Sequence, residues 1–344
     1  MKTERRIYTD YLRIFATFAV VILHLSSQNW TGPAVTTRSW QAIAIYDSLV
    51  RWCVPVFVMI SGSLYLEREI SPRKTAAICL RMLIAFIVWS LLYVVVPNGN
   101  HYDLIKQAIV GHYHMWYIFL IIGLYLCMPF YKKITEDSKL TRYFLVLSIL
   151  FAVVLPSAMQ VIRDFAPKGF AEKAGFFNTD VNQMEKNVVT GYSLYFILGY
   201  CLHKFELSRR TRLRIYAAGV LGAAATIALT IAISMKNQSP TTTYFRNFSL
   251  NVFLESLAIF VWFRYHPFRE GRAARLAAKV AGDCFGIYLV HAMVIEQLRF
   301  RADLNTMTIH PLFSIPLLGV AVFLIAELIS AVLHRIPIVN KYCV

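Results

Sequence analysis

Residues 10–25, DYLRIFATFAVVILHL, set an acid, a guanidinium and an imidazole into a run otherwise made for hydrocarbon. An ionisable side chain at mid-membrane costs about 2.5–3.5 kcal/mol on insertion scales, so each such group must be paired or used. Helical geometry brings the three together. Asp10 and Arg13 stand at i, i+3, neighbours on one face. Eleven residues at about 100° each return His24 to within about 20° of Arg13, some ~16 Å further along the axis. One stripe therefore runs from a charge pair to an imidazole deep in the span, and it should face protein rather than lipid. The plain reading is an interfacial ion pair plus a histidine bonded to another helix. The chemical reading is a polar path ending in a base, and imidazole suits that role because its pKa lies near working pH.

Three further segments carry similar groups. RWCVPVFVMISGS begins with Arg51, which either snorkels outward or binds an anionic or carbonyl group. Pro55 bends that helix, and Ser61-Gly62 reads first as a site of close helix packing. GHYHMWYIFLIIGLYLCMPF places His112, His114, Trp116 and Tyr117 at one end of a span. An aromatic belt accounts for the Trp and Tyr. Two histidines at i, i+2 on a helix point apart and make a poor metal pair, so no metal is expected. DCFGIYLVHAMVIEQL puts Tyr288 and His291 on one face, with Asp283 and Glu296 toward opposite ends.

The elements that must hold these groups follow from composition. Of the 344 residues, 58% are hydrophobic and 16% charged, against about 45–50% and about 25% in a soluble domain. The expected solvent is lipid. About ten stretches approach the ~20 residues needed to cross a bilayer as a helix. They are roughly 9–29, 42–66, 76–97, 113–131, 142–162, 189–203, 214–235, 247–265, 277–297 and 311–334. The expectation is an all-α polytopic membrane protein, a single domain over 1–344 with no separate soluble part. Residues 163–188 read as an irregular loop, and no internal repeat is evident.

The formal charge of +16 is explained by topology. With the N-terminus inside, most basic residues fall in alternate connections. These hold Lys2, Arg5 and Arg6, then Arg73, Lys74 and Arg81, then Lys132 and Lys133, then Arg209 and Arg210, then Arg272 and Arg275. This bias puts both termini in the cytoplasm. The surplus is an orientation signal, without the interleaved aromatics of a nucleic-acid surface. No two of the six cysteines form a C-x-x-C pair, so they read as buried thiols rather than a disulfide framework or zinc site. The first span resembles a signal peptide, but Asp10, Arg13 and the many spans that follow argue against cleavage.

Taken in order, the motifs resemble those of the acyltransferase family 3 integral-membrane proteins. D-Y-L-R-I-F-A with His24 resembles the family's first-span D-x-L-R-x-x-A…H. R-W-C-V-P-V-F-V-M-I-S-G resembles its R-x-x-V-P-x-F-F-x-I-S-G, and H-M-W-Y-I-F-L…P its H-L-W-F…P. Y-F-I-L-G-Y fits its F-x-x-G, and F-G-I-Y-L-V-H resembles its S-x-x-I-Y-L-x-H. Among members, the motifs resemble those of small stand-alone forms that O-acetylate a surface glycan. Two departures stand out. Ser63 replaces a large residue after Ser-Gly, and SPRKTAAICLRMLI lacks the family's R-x-x-R followed by proline.

The resemblance implies transfer of an acetyl group from cytoplasmic acetyl-CoA to a hydroxyl of a periplasmic or surface glycan, or of a lipid-linked saccharide. It also implies a bacterial inner-membrane location. His24 is then the general base or a transient acyl acceptor. Arg13, Arg73, Lys74 and Arg81 would hold CoA phosphates, and Asp10 would hold Arg13. Arg51 or Tyr288 would face the developing oxyanion. Ser61, His114, Trp116, Tyr288 and His291 would line the acceptor site. The rival from another class is a transporter or flippase for a lipid-linked sugar or small solute, whose paths also carry buried charge. A scaffold without chemistry would gain nothing from that cost.

Overall fold

The computed structural model describes residues 6–96, 104–184 and 186–344. Lys2 and Arg5, used above for orientation, lie outside the described residues. Sixteen α-helices run in chain order among them. The first eight are α1 (Ile7–Ser27), α2 (Arg38–Ser48), α3 (Cys53–Tyr65), α4 (Pro72–Val95), α5 (Leu104–Val110), α6 (Trp116–Leu126), α7 (Met128–Glu136) and α8 (Ser138–Ser148). A π-helical turn, Ile149–Val154, then leads into α9 (Leu155–Phe165). The rest are α10 (Lys168–Gln183), α11 (Ser193–Lys204), α12 (Arg209–Asn237), α13 (Leu250–Tyr265), α14 (Arg272–Ala302), α15 (Pro311–Leu333) and α16 (Pro337–Tyr342).

The all-α, membrane-spanning architecture matches the expectation. Among the described residues, eight segments are long and apolar enough to cross a bilayer, and they correspond to eight of the ten stretches. The other two differ in form. The stretch at 113–131 is broken at Cys127 between α6 and α7. The stretch at 189–203 is a helix of 12 residues, Ser193–Lys204. Residues 163–188 are not an irregular loop. Ala166-Pro167 ends α9, and Pro167 stands as the N-cap of the 16-residue α10. Its FAEKA core is made of good helix formers, which outweigh the Gly and Asn residues that suggested a loop.

The chain forms two compact units. The first comprises residues 1–53, 69–127 and 263–344. Its centre is α1, packed by α2, α14 and α15. Leu12, Ala16, Val21 and Leu25 of α1 are buried. Without water to drive helices together, such contacts need small residues that let backbones approach. At Gly286 of α14, an added Cβ would lie 2.1 Å from Ser330 Oγ of α15, whose hydroxyl donates to the Asp283 carbonyl oxygen at 3.0 Å. The segment around α16 lies along α4, where Trp89 Nε1 donates to the Cys343 carbonyl at 2.9 Å.

The second unit comprises residues 54–68 and 128–262. Here α3 and α11 cross backbone to backbone. An added Cβ on Gly62 would come 1.8 Å from the Phe196 carbonyl oxygen, and one on Gly199 would come 2.1 Å from that of Met59. The Ser61-Gly62 pair thus serves packing. Deeper in this unit, Thr226 donates to the Glu255 carboxylate, and Asn251 Nδ2 donates to Thr226 Oγ1 at 2.7 Å.

Candidate functional site

Four histidines meet inside the first unit, brought by three separate pieces of chain. α1 supplies His24, the Gly111–Met115 turn supplies His112 and His114, and α14 supplies His291. The His24 ring lies 5.1 Å from His291 and 6.3 Å from His114, centroid to centroid, and His114 lies 5.0 Å from His291. His112, His114 and His291 are buried and His24 is half-buried. The same registry explains how α1 and α14 cooperate. Arg13 Nη1 donates to the Ala281 carbonyl at 3.3 Å, and His24 meets His291. Eleven residues along α1 thus match ten along α14, so the two helices lie side by side in the same direction.

The turn carrying His112 and His114 corrects the sequence reading. These residues are not helical, so their rings do not point apart. His112 Nδ1 and His114 Nδ1 are 2.9 Å apart. Gly111 makes this possible. Its φ is +78°, a conformation costly for any residue with a Cβ, and such a Cβ would also lie 2.4 Å from the Phe86 ring. The turn is then clamped. Tyr288 Oη donates to the His114 carbonyl at 2.6 Å. The Tyr93 ring stacks on His112 at 4.1 Å, while Tyr93 Oη donates to the Leu289 carbonyl and accepts from the Met293 N–H, both at 2.9 Å. Glu296 Oε1 lies 2.9 Å from His112 Nε2. Sequence reasoning placed Glu296 only at a helix end and left His112 without a role; their pairing needs the turn and α14 side by side.

Arg51 pairs with Asp47 Oδ1 at 2.6 Å. Asp47 is fully buried and was not singled out from the sequence; its place four residues before Arg51 was the available signal. The Arg51 guanidinium is close enough to act electrostatically on His24. At the other end of the stripe, Thr17 hydrogen-bonds the Cys284 thiol, which also feels the charges of Arg13, Asp283 and Asp10, and Asp283 Oδ1 meets His334 Nδ1 at 3.1 Å.

The remaining predicted residues sit as follows. Trp116 is 45% exposed, edge-on to Tyr117 at 6.3 Å, as a belt residue would be. Tyr288 gives its hydroxyl hydrogen to the turn, at the His114 carbonyl. Arg73 and Lys74 are exposed in the first turn of α4. Arg81 donates to the main-chain oxygens of Asn340 and Val344, so it holds the α16 segment. Ser61 is half-buried on α3 in the second unit.

His114 and His291 each bury an Nε2 without a hydrogen-bond partner, and imidazoles are the groups that proton transfer or nucleophilic attack would require. Residues 6–334 match the family model described as an acyltransferase domain. The chain belongs to the acyltransferase 3 family. No curated protein and no solved structure matches it. As an acyltransferase 3 protein, this chain carries its convergent histidines on the three segments that bear the family-like motifs. Membership also weighs against the transporter reading, because the matched domain is one that transfers acyl groups.

Proposed function

We propose that the protein is an inner-membrane O-acetyltransferase of a bacterium, taking acetyl from cytoplasmic acetyl-CoA to a hydroxyl of a periplasmic or surface glycan. The likeness of its motifs to the stand-alone enzyme that O-acetylates enterobacterial common antigen supports this acceptor class. The observation that carries the reading is the meeting of His24, His114 and His291, at 5.0–6.3 Å between rings, at the end of a stripe that begins with Arg13.

CoA is anionic and cannot cross lipid, so its phosphates must be met at the inner mouth. Arg13 is half-buried there in this reading, and Arg73 and Lys74 crowd the N-terminal turn of α4. Topology alone places these cations on the inner side, and there their charge would also attract the CoA phosphates. The pantetheine arm then follows the stripe toward His24. In one route His24 takes the hydroxyl proton as the alcohol oxygen attacks the thioester carbonyl. The C–S bond breaks, and the thiolate receives the proton. In the other, a His24 nitrogen attacks first, CoA leaves, and the hydroxyl then attacks the acetyl-imidazole. Arg51, held by Asp47, would stabilise negative charge on the carbonyl oxygen.

Membranes containing the protein should transfer labelled acetyl from acetyl-CoA to extracted surface glycan. His24→Ala should lower that rate at least about 10²-fold. Retained activity would end the assignment. Loss of an O-acetyl signal from the glycans of cells lacking the chain identifies the acceptor.

A further inference from the structure

Beyond the three imidazoles lies a chain of groups that the route above does not use. Glu296 Oε1 is 2.9 Å from His112 Nε2, and His112 Nδ1 is 2.9 Å from His114 Nδ1. A nitrogen–nitrogen contact of that length requires one shared hydrogen: one ring donates and the other accepts. The carboxylate accepts from His112 Nε2–H. The proton between the two Nδ1 atoms is therefore the variable. If His114 owns it, His112 is neutral and His114 Nε2 is a bare lone pair. If His112 owns it, His112 is an imidazolium against Glu296 and His114 Nε2 carries hydrogen. His114 Nε2 is buried without an aligned partner. The Leu289 carbonyl lies near it and already accepts from Tyr93. The groups facing this chain are His24, His291, Tyr93, Tyr113 and Tyr288.

We infer that Glu296, His112 and His114 form a proton relay that takes the proton of the acceptor hydroxyl and holds it on His112. The inference rests on the acyl-transfer reading and on the route in which His24 carries the acetyl group. The hydroxyl gives its proton to His114 Nε2 as its oxygen attacks the carbonyl of the N-acetylimidazolium, and the C–N bond breaks with its electron pair returning to His24, which leaves as the neutral ring. The Nδ1 hydrogen of His114 passes to His112 Nδ1, leaving an imidazolium–carboxylate pair with Glu296. The positive charge is thus kept one ring away from the reacting atoms. His112 and Glu296 are positioning residues, and the stacking of His112 on Tyr93 fixes the plane the relay needs.

The test uses the full chain with ¹⁵N-histidine in bilayers. Nitrogen NMR should show a through-hydrogen-bond coupling between the Nδ1 atoms of His112 and His114. Signals are assigned by comparison with His112→Phe and His114→Asn. Glu296→Gln should shift the His112 and His114 signals, lower kcat about 10²-fold and leave KM for acetyl-CoA unchanged, with partial recovery in Glu296→Asp. Absence of the coupling in the unaltered protein overturns the relay, as does a Glu296→Gln variant with unchanged kcat. Coupling and shifts as expected, without acetyl transfer by the unaltered protein, confirm the hydrogen-bonded line Glu296–His112–His114 but overturn the acyl-transfer reading and the relay's role in it.

Discussion

At the scale of single residues, the buried Asp47–Arg51 pair makes a sharp prediction. Asp47 is fully buried and Arg51 is 18% exposed. Removing one member of such a pair strands the other charge away from water, at about 3–5 kcal/mol, whereas removing both together costs far less. Asp47→Leu should lower thermal stability in detergent by about 3 kcal/mol, the low end because Arg51 reaches partial exposure. The Asp47→Leu/Arg51→Leu double variant should recover much of that stability while remaining inactive. A double variant no more stable than Asp47→Leu would show that the pair is not coupled. His24 illustrates what residue types alone can say. Its distance along the helix from Arg13 was readable, because helical geometry is local; its contact with His291, 267 positions away in sequence, was not.

At the scale of elements, the α3–α11 crossing and the α6 surface make opposite predictions for the same substitution. Gly62 has no room for a methyl group, with the Phe196 backbone 1.8 Å from an ideal Cβ, whereas around Gly123 of α6 nothing lies within 4 Å. Gly62→Ala should destabilise by about 1–3 kcal/mol or more, since backbone must move to admit the added carbon. Gly123→Ala should be neutral or stabilising by up to ~1 kcal/mol, because alanine restricts the unfolded chain and favours helix. Thermal unfolding of the two variants in one detergent compares them directly; equal losses would contradict the crossing. The element scale is also where sequence patterns misled. The Gly111–Met115 turn lies at the head of a strongly apolar run, and helical periodicity extended through it predicts diverging histidines. Left-handed Gly111 ends that periodicity and brings the rings together.

At the scale of the whole molecule, the alternation of basic connections predicts a topology with both termini in the cytoplasm. In a cysteine-free background, Lys74→Cys and Arg210→Cys should stay unlabelled by an impermeant maleimide in cells with only the outer membrane opened, while Asn237→Cys should react. All three positions are exposed, so burial does not confound the comparison. The reverse pattern would put Arg73 and Lys74 on the side where acetyl-CoA is absent and would remove them from the donor site.

What the sequence by itself determined is whatever depends on neighbours along the chain. Long apolar runs demand helices in lipid because backbone groups there must bond within the segment. The i, i+3 and i, i+11 spacings make the stripe of α1, and the motif order makes the family. What only the tertiary structure decided is which side chains from distant segments share one space. The Asp47 partner, the Glu296–His112–His114 line, the tying of Arg81 to the α16 segment and the spending of the Tyr288 hydroxyl on a turn all depend on contacts between separate pieces of chain. Helix packing sets those contacts by the fit of small residues such as Gly286 against Ser330, and no local pattern in either helix encodes the register in which two surfaces will fit.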